Sequence, residues 1–469
     1  MSFSSRFFIF YFLFFIDSFS IANCQSLDTS FVVIDSINII GNKNTKQAIV
    51  CRELNFKVGD TIDANVLMPL LQRAKENILN TSLFNFVEIS SRNIDSVHVT
   101  VNINLWERWY VWPMPIFELA DRNFNEWWLT KDFLRTNYGI NLMVNNCRGR
   151  NETLSLLIRA GYSQKYSISY SIPYFSKKKI GGLSCSIFYL QNHEIVYSTF
   201  ANKLQYFKDI NQYARKEISS TVQYFNRQGL YNKHTFTLGY KKNEVADTVA
   251  VLNQDYFLNK KTSQKYVSFS YWFRRDCRDI AAYPLRGYYY DFEIVKKGLG
   301  LIHDDVDLLY LTASCKKFWQ LFDRVFFASS VTGKLSTNSP QSYFNMRGLG
   351  YGSDYVRSYE YYVIDGQNFA LMKTNLKYQL LRPHVAKTNV IPLEKFNTVP
   401  YACYINLFAD MAYVQDKQYY ATNPLTNTLL IGGGIGFDYV TYYSIVARIE
   451  YAINKFGERD IFLHVTLPI

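Results

Sequence analysis

The chain has 469 residues, a formal net charge of +12 and an aromatic content of 17%. Beyond the N-terminus, no apolar run reaches the length of about 18 residues that a transmembrane helix requires, which excludes a helical membrane protein. The hydrophobic content of 48% also excludes a disordered chain, and the many Tyr, Phe, Ser and Asn residues favour a strand-rich protein.

Residues 1–22 are typical of a secretory signal peptide. The apolar run Phe7–Ile16 is too short to span a bilayer and fits the hydrophobic region of such a signal. Two small residues, Ser20 and Ala22, occupy the positions that a signal peptidase reads before its cleavage point. The alternative is a lipoprotein signal that uses Cys24, which no small residue immediately precedes. Both signals direct the chain out of the cytoplasm.

Residues 30–106 are predicted to form a small α+β domain. Phe31–Ile40 has the composition of a strand, and Thr45 is a suitable N-cap for a short helix that ends at Glu53. A second helix is expected over Ala64–Asn80, because apolar residues recur there on one helical face. The last two elements of the predicted order β-α-α-β-β are the strands Phe86–Ser90 and Val97–Leu105.

This order of elements resembles a POTRA domain, a periplasmic module. The resemblance implies that an exposed strand edge binds unfolded polypeptides through backbone hydrogen bonds, so that many sequences are accepted. The alternative is a domain that only spaces or docks the region after it. The matching stretches are Ile37–Asn42, Thr45–Lys46, Arg52–Leu54, Gly59–Asp60 and Asn80–Asn85.

Residues 107–469 contain many short segments in which apolar and polar residues alternate. This period of two is typical of barrel strands that face lipid outside and a lumen inside. A soluble β-sandwich has the same period, but the export signal and the abundant Tyr and Phe favour the membrane. The predicted fold is therefore a membrane β-barrel of about 16 antiparallel strands behind one α+β domain. Clear examples are Tyr166–Ile172, Val267–Phe273, Ile405–Met411, Leu429–Phe437 and Ile461–Ile469.

A long connection at residues 338–367 interrupts this pattern and is expected to be functional. Its segment Val356-Arg357-Ser358-Tyr359 resembles the V-R-G-F/Y signature of the BamA/TamA superfamily. The members of that superfamily are POTRA-plus-barrel proteins that insert or move polypeptides at outer membranes, and their long loop folds back into the lumen. Other matching stretches, similar to the Bacteroidota branch, are Phe117–Trp128, Tyr283–Gly287 and Tyr361–Gly366.

The resemblance implies that Arg357 forms an ion pair with an acid on the barrel wall. Asp410 lies in a matching segment, Ala409–Ala412, and by parity shares the lumenal face with Asn406. We therefore predict a charge-assisted pair between Arg357 and Asp410, and the alternative is a solvated loop arginine. Ser358 replaces the family's glycine, so a positive φ there would be strained. The preceding strand offers no second acid at its lumenal positions Lys373, Asn375 and Lys377.

Three prolines suggest a weak seam in the barrel. Pro113 and Pro115 lie in the first predicted barrel strand, and Pro468 lies in the last. Because proline has no N–H, two prolines two residues apart remove two donors that point to the same neighbour. We hypothesise that these strands meet at a seam that opens sideways and pairs with a client strand. The alternative is that the prolines only mark strand ends.

The sequence predicts an outer-membrane protein with its POTRA domain in the periplasm. No phosphate loop, HExxH, GxSxG or paired-cysteine motif is present, so we expect neither an enzyme nor a metal or cofactor. Its expected partners are outer-membrane lipid, unfolded outer-membrane or secreted polypeptides and accessory assembly lipoproteins, but not nucleic acid. The predicted function is outer-membrane protein insertion or polypeptide translocation. The alternatives are a passive channel, a structural barrel or a dedicated secretion translocator.

Overall fold

A computed structural model describes residues 31–119, 136–176, 179–337, 340–387, 398–441 and 445–466. The predicted signal peptide and Pro468 lie outside these ranges. The described residues form an N-terminal α+β domain and an antiparallel sheet of 16 strands. None of the helices in these ranges has the length and apolarity needed to span a bilayer.

The N-terminal domain is a four-stranded sheet covered by two helices. Its elements are β1 (Phe31–Ile40), α1 (Gln47–Cys51), β2 (Thr61–Asp63), α2 (Ala64–Leu79), β3 (Phe84–Asn93) and β4 (His98–Glu107). The strand order is β2-β1-β4-β3, in which β1 and β4 are parallel and the other neighbours antiparallel. The predicted order is correct except for β2, whose three residues are too few to carry an alternating pattern.

The apolar face of β4 forms the centre of this domain. Val101 and Ile103 are fully buried, and the predicted face of α2, including Leu71 and Ile78, packs in the same cluster. The expectation for Thr45 was wrong, because α1 has its N-cap at Lys46 without a side-chain hydrogen bond. Instead, the Thr45 hydroxyl donates to Glu107 Oε1 over 2.7 Å. The buried Glu107 carboxylate thus fixes the loop before α1.

The 16-stranded sheet follows the chain from β5 to β22, and each strand is antiparallel to its neighbours. One excursion interrupts this order: β10 (Glu194–Phe200) and β11 (Lys203–Lys208) form a separate hairpin in a loop. A short helix, α3 (Asp247–Leu252), lies in the next long loop. The strands of the large sheet are β5 (Val111–Leu119), β6 (Thr136–Cys147), β7 (Glu152–Gly161), β8 (Ser163–Ile172), β9 (Gly181–Asn192), β12 (Arg215–Gln228), β13 (Asn232–Val245), β14 (Ser263–Asp276), β15 (Gly287–Lys297), β16 (Leu308–Phe322), β17 (Val325–Ser336), β18 (Asn368–Lys387), β19 (Thr398–Gln415), β20 (Leu429–Val440), β21 (Val446–Asn454) and β22 (Arg459–Thr466).

Burial on β19 distinguishes a barrel from a sandwich. Leu407 and Met411 are 53% and 47% exposed, while Asn406 and Asp410 on the other face are buried. A sandwich would bury the apolar row between its two sheets, whereas a barrel in lipid directs that row outward. The predicted fold, a 16-stranded barrel behind one small α+β domain, is confirmed.

Candidate functional site

The connection between β17 and β18 packs against the inner wall of the barrel. Within it, Leu349 and Ile364 exchange two backbone hydrogen bonds of 2.8 and 2.9 Å, which fold the segment into a narrow hairpin. Val356 and Tyr359, two of the predicted motif residues, are buried in an apolar cluster that also contains the wall residue Leu430. The loop is therefore anchored by apolar contacts on both sides of the motif arginine.

The structure brings Arg357 and Asp410 together. The Arg357 Nε donates to Asp410 Oδ2 over 2.8 Å, and Nη2 donates to Oδ1 over 2.5 Å. The backbone N–H of Arg357 donates to the same carboxylate over 3.1 Å. Both side chains are almost completely buried, with relative exposures of 3% and 2%. Arg357 is thus held in a bidentate, desolvated ion pair, the strongest form of arginine–carboxylate contact.

The remaining N–H groups of the Arg357 guanidinium bind two further strands. Nη1 donates to Asn375 Oδ1 over 2.6 Å, and Nη2 donates to the Thr374 carbonyl oxygen over 3.0 Å, both on β18. Nη1 also lies 3.4 Å from Glu450 Oε1 on β21. All five N–H donors of the guanidinium therefore have acceptors, and the loop is attached to β18, β19 and β21 through one side chain.

Glu450 is a site residue that the sequence reasoning missed. Alternation along β21 places it on the polar face of that strand, but β21 is two strands away from β19 in the sheet. Alternation assigns a residue to the lumen without indicating which lumenal residues meet. The sequence feature that could have indicated Glu450 is the pair Arg448 and Glu450, two charged residues on the lumenal face of one strand.

Ser358 has a positive φ of 83°, in the region that favours glycine. At this residue the loop approaches β20 closely. A Cβ atom at Gly432 would lie 2.2 Å from the Arg357 carbonyl oxygen and 2.2 Å from Ser358 Oγ. The loop backbone therefore lies directly on a glycine of the wall, opposite Asp410 in the β19–β20 register.

A second ion pair, between the partly buried Arg448 and the buried Asp438, lies further along the same wall. Arg448 donates to both oxygens of Asp438 over 2.7 and 2.9 Å, and Asn406 donates to the same carboxylate over 2.8 Å. Tyr283, from the β14–β15 turn at residues 277–286, inserts its hydroxyl and donates to Asp438 over 2.7 Å. The turn motif singled out in the sequence thus contacts the opposite part of the wall.

The N-terminal domain is fastened to the end of the barrel that carries the short turns. Glu53 forms a bidentate ion pair with Arg227, with N–O distances of 2.6 and 2.7 Å. Tyr174 accepts from the same guanidinium over 2.6 Å. Arg52 adds a bond of 3.1 Å to the carbonyl oxygen of Lys179. A buried carboxylate with two hydrogen-bonded partners makes this contact specific rather than incidental.

The same domain also holds the β14–β15 turn. The Asn80 side-chain amide donates to the Asp279 carbonyl oxygen and accepts from the Ala281 N–H, each over 2.9 Å. Arg73 donates to the Arg278 carbonyl oxygen over 3.1 Å. Burial raises the pKa of the Asp279 carboxyl, although three backbone N–H groups of its own turn donate to it. The turn is therefore bound from below by α2 and from inside by the lumenal wall.

The first and last strands of the barrel, β5 and β22, lie at the two ends of the strand order. Among the described residues, β5 pairs only with β6 and β22 pairs only with β21. Pro113 and Pro115 lie in β5, opposite Leu142 and Ile140 of β6. Proline is tolerated in a strand of this kind, because one side of an edge strand has no ladder to complete. The third predicted seam residue, Pro468, lies outside the described residues.

A barrel of 16 antiparallel strands, a lumenal loop and a small domain docked at the turn end define a POTRA-plus-barrel membrane protein. The family model of the Omp85 superfamily domain matches residues 146–370. A POTRA model, described as a surface antigen variable number repeat, matches residues 32–106. The chain thus contains an Omp85 superfamily domain and a POTRA domain, an arrangement in which the barrel lies in the outer membrane and the POTRA domain in the periplasm.

Solved structures share this fold at low sequence identity. The chain is similar to a crystal structure of BamA from Haemophilus ducreyi that lacks POTRA domains 1–3, with 14% identity, coverage of 93% of this chain and 84% of that chain, and a TM-score of 0.52. It is also similar to CdiB from Escherichia coli, with 10% identity, coverage of 95% and 91%, and a TM-score of 0.50. The comparison with curated proteins found no match.

Proposed function

We propose that this protein inserts or translocates polypeptides at the outer membrane without acting as an enzyme. The POTRA domain captures unfolded clients, and the seam between β5 and β22 pairs with a client strand. The observation that carries this proposal is the strand order, in which β5 and β22 are the two end strands and no ladder joins them among the described residues. An unpaired strand edge binds an extended polypeptide through its backbone groups.

The POTRA sheet offers a second edge for a client. Strand β3 is ten residues long and lies at one end of the sheet order, paired with β4 alone among the described residues. Its outer backbone groups accept an added strand without reading side chains in detail. A client bound there is kept extended beside the barrel before it reaches the seam.

The contacts of Arg357, called here the Arg357 anchor, hold the lumenal loop to the barrel wall next to the seam. Through one guanidinium, the loop is tied to β18, β19 and β21. The last of these strands is next to β22, so the anchor ends immediately beside the seam. We propose that the anchor keeps the wall in shape while β22 separates from β5.

Disulfide locking of the seam tests lateral opening. In a cysteine-free background, a cysteine at Ile116 of β5 is combined with one at each of Leu463, His464 and Val465 of β22 to find the pair that cross-links. The locked protein is reconstituted in liposomes and given a urea-unfolded barrel protein, whose folding is followed over time. Folding should stop when the seam is oxidised and return after reduction. Unchanged folding with a locked seam rejects lateral opening.

Depletion in cells separates the candidate roles. The depleted strain is complemented with the native chain, with Arg357→Ala or with Arg382→Ala, whose ion pair with Asp323 is exposed. Mass spectrometry of the outer membrane then gives the protein inventory. Loss of many barrel proteins with Arg357→Ala alone indicates general insertion, and loss of one exported protein indicates dedicated secretion. An unchanged inventory contradicts the proposal and favours a channel or structural barrel.

A further inference from the structure

We propose that the protein has a divalent metal site, suited to Zn²⁺, where the lumenal loop meets the last two strands. Three side chains from three separate segments converge there: Glu360 of the loop, Glu450 of β21 and His464 of β22. One ligand atom of each lies within 4.8 Å of the other two. In the part of the chain that the structure describes, this is the one group of three such side chains at that spacing.

The distances between the ligand atoms fit a tetrahedral ion. His464 Nε2 lies 3.1 Å from Glu360 Oε1 and 3.6 Å from Glu450 Oε2. Two ligands at zinc bond lengths of about 2.0–2.1 Å are about 3.3 Å apart in a tetrahedral site. The two distances from His464 are within a few tenths of an ångström of this value, and the ligand atoms of Glu360 and Glu450 lie within 4.8 Å of each other. One imidazole and two carboxylates form a three-ligand set that leaves a fourth position for water.

One carboxylate oxygen in this cluster is buried and free. Glu450 is only 1% exposed, and its Oε1 lies near the guanidinium groups of Arg357 and Arg448 at 3.4 and 3.8 Å. Its other oxygen, Oε2, has no hydrogen-bond partner and points toward His464. An unpaired buried carboxylate oxygen is unfavourable, and a cation bound between it and the imidazole removes that penalty.

Charge favours a divalent ion over a protonated histidine. Arg357 and Arg448 have Asp410 and Asp438 as their main partners and reach Glu450 only through Oε1, at 3.4 and 3.8 Å, which leaves Glu450 Oε2 and the Glu360 carboxylate to face His464. A protonated His464 offers a single hydrogen at Nε2, and this hydrogen serves one of the two carboxylates but not both. A zinc ion accepts a lone pair from each of the three side chains at once and neutralises both negative charges.

The site would join the loop directly to β22, an end strand of the sheet. Zinc bound to His464 fastens that strand to Glu360 in addition to its ladder with β21. Metal binding itself is independent of the proposed function. Only the consequence that zinc slows the opening of the seam rests on that function.

Titration with ZnCl₂ tests the site. The full mature chain in detergent is stripped with EDTA, dialysed and titrated in a calorimeter at neutral pH. We expect one specific zinc ion per chain, and His464→Ala or Glu360→Gln should each weaken it by at least about tenfold, since even outer-shell changes cost as much. His234→Ala, on β13 beside Tyr271, is the matched control and should leave binding unchanged.

Exposed cysteines also bind zinc, but such binding is indifferent to His464 and Glu360. Absence of stoichiometric uptake, or uptake that both substitutions leave intact, would overturn the proposed site. If His464→Ala does not fold, Glu360→Gln decides, because it changes a loop side chain by one atom. Titration with CoCl₂ gives a second readout, a visible absorption band of a tetrahedral ion that is lost in the same variants. Zinc binding without an effect on client folding would contradict the seam mechanism and not the metal site.

Discussion

The POTRA domain and the barrel use the same strand pattern with opposite faces buried. In β4 the apolar residues Val101 and Ile103 are fully buried, as in any water-soluble domain. In β19 the apolar residues Leu407 and Met411 are on the outside, and the charged Asp410 is buried. The local sequence rule is identical, and the solvent around each region decides which face becomes the interior.

This contrast determines what stabilises each region. The POTRA interior is held by apolar contacts, whose loss is graded and depends on cavity size. The lumen is held by buried charges, each of which needs its partner, because a buried charge without one is strongly unfavourable. We therefore expect the largest single effect from a change of one charge in the lumen, followed by changes in the apolar interior.

Removal of the Asp410 charge should have the largest effect. Asp410→Asn leaves the buried Arg357 without its main partner, and we expect the free energy of unfolding to fall by about 3–5 kcal/mol. Urea unfolding of the barrel in detergent, followed by tryptophan fluorescence, measures this change. Asp323→Asn, which affects an exposed ion pair, should have little effect. Equal effects of the two substitutions would show that the lumenal pair has no special weight.

Truncation inside the POTRA domain should come next. Ile103→Ala removes fully buried atoms and creates a cavity, so local stability should fall by about 2–5 kcal/mol. Hydrogen exchange over residues 31–107 of the whole chain measures it. The matched change in the barrel, Leu407→Ala, should cost less because lipid chains fill the space and no cavity remains. A larger loss from Leu407→Ala would contradict the outward orientation of its row.

Substitution of Gly432 tests how tightly the loop lies on the wall. A Cβ atom there would lie 2.2 Å from the Arg357 carbonyl oxygen, so Gly432→Ala must displace the loop or the strand. We expect the free energy of unfolding to fall by about 1–3 kcal/mol and proteolysis of the loop to become faster. Gly333→Ala is the control, since its nearest neighbour would be at 3.4 Å. Identical protease patterns in the two variants would contradict the close contact.

The smallest expected effect has the opposite sign. Ser358→Gly relieves a positive φ of 83° and removes a buried hydroxyl that has no hydrogen-bond partner. The greater conformational freedom of glycine in the unfolded chain opposes this effect, so we expect the free energy of unfolding to rise by at most about 1 kcal/mol. Asn427→Gly is the comparison, because Asn427 also has a positive φ but its side chain binds the backbone of Asp416. That variant should lose stability in the same urea experiment.

Much of the fold follows from alternation, and much of the site does not. Period-two patterns were sufficient to predict the barrel strands, because the alternation of apolar and polar residues along a strand shows which of its faces is apolar. The three residues of β2 were too few to show such an alternation. Thr45 satisfied the local rule for an N-cap, but the buried carboxylate of Glu107, far along the chain, bound its hydroxyl instead.

The position of the loop inside the barrel lies beyond local patterns. Resemblance to a family indicated Arg357 and Asp410 as partners, and parity assigned Asp410 to the lumen. Neither indicated Glu450, because contacts across the lumen depend on the curvature of the wall and the path of the loop. The sequence predicted strain at Ser358 only if the loop backbone has the positive φ of the family's glycine, and the sequence alone does not show whether it does.

The β14–β15 turn has a mechanical consequence. Its backbone is held by Asn80 and Arg73 of the periplasmic domain, and its Tyr283 is lodged against Asp438 inside the barrel. If the POTRA domain moves away from the barrel, either the hydrogen bonds of Asn80 and Arg73 to the turn break, or the turn moves with the domain and Tyr283 is withdrawn from Asp438. A force that acts on the periplasmic domain is thus transmitted through this turn to the lumenal wall of the barrel.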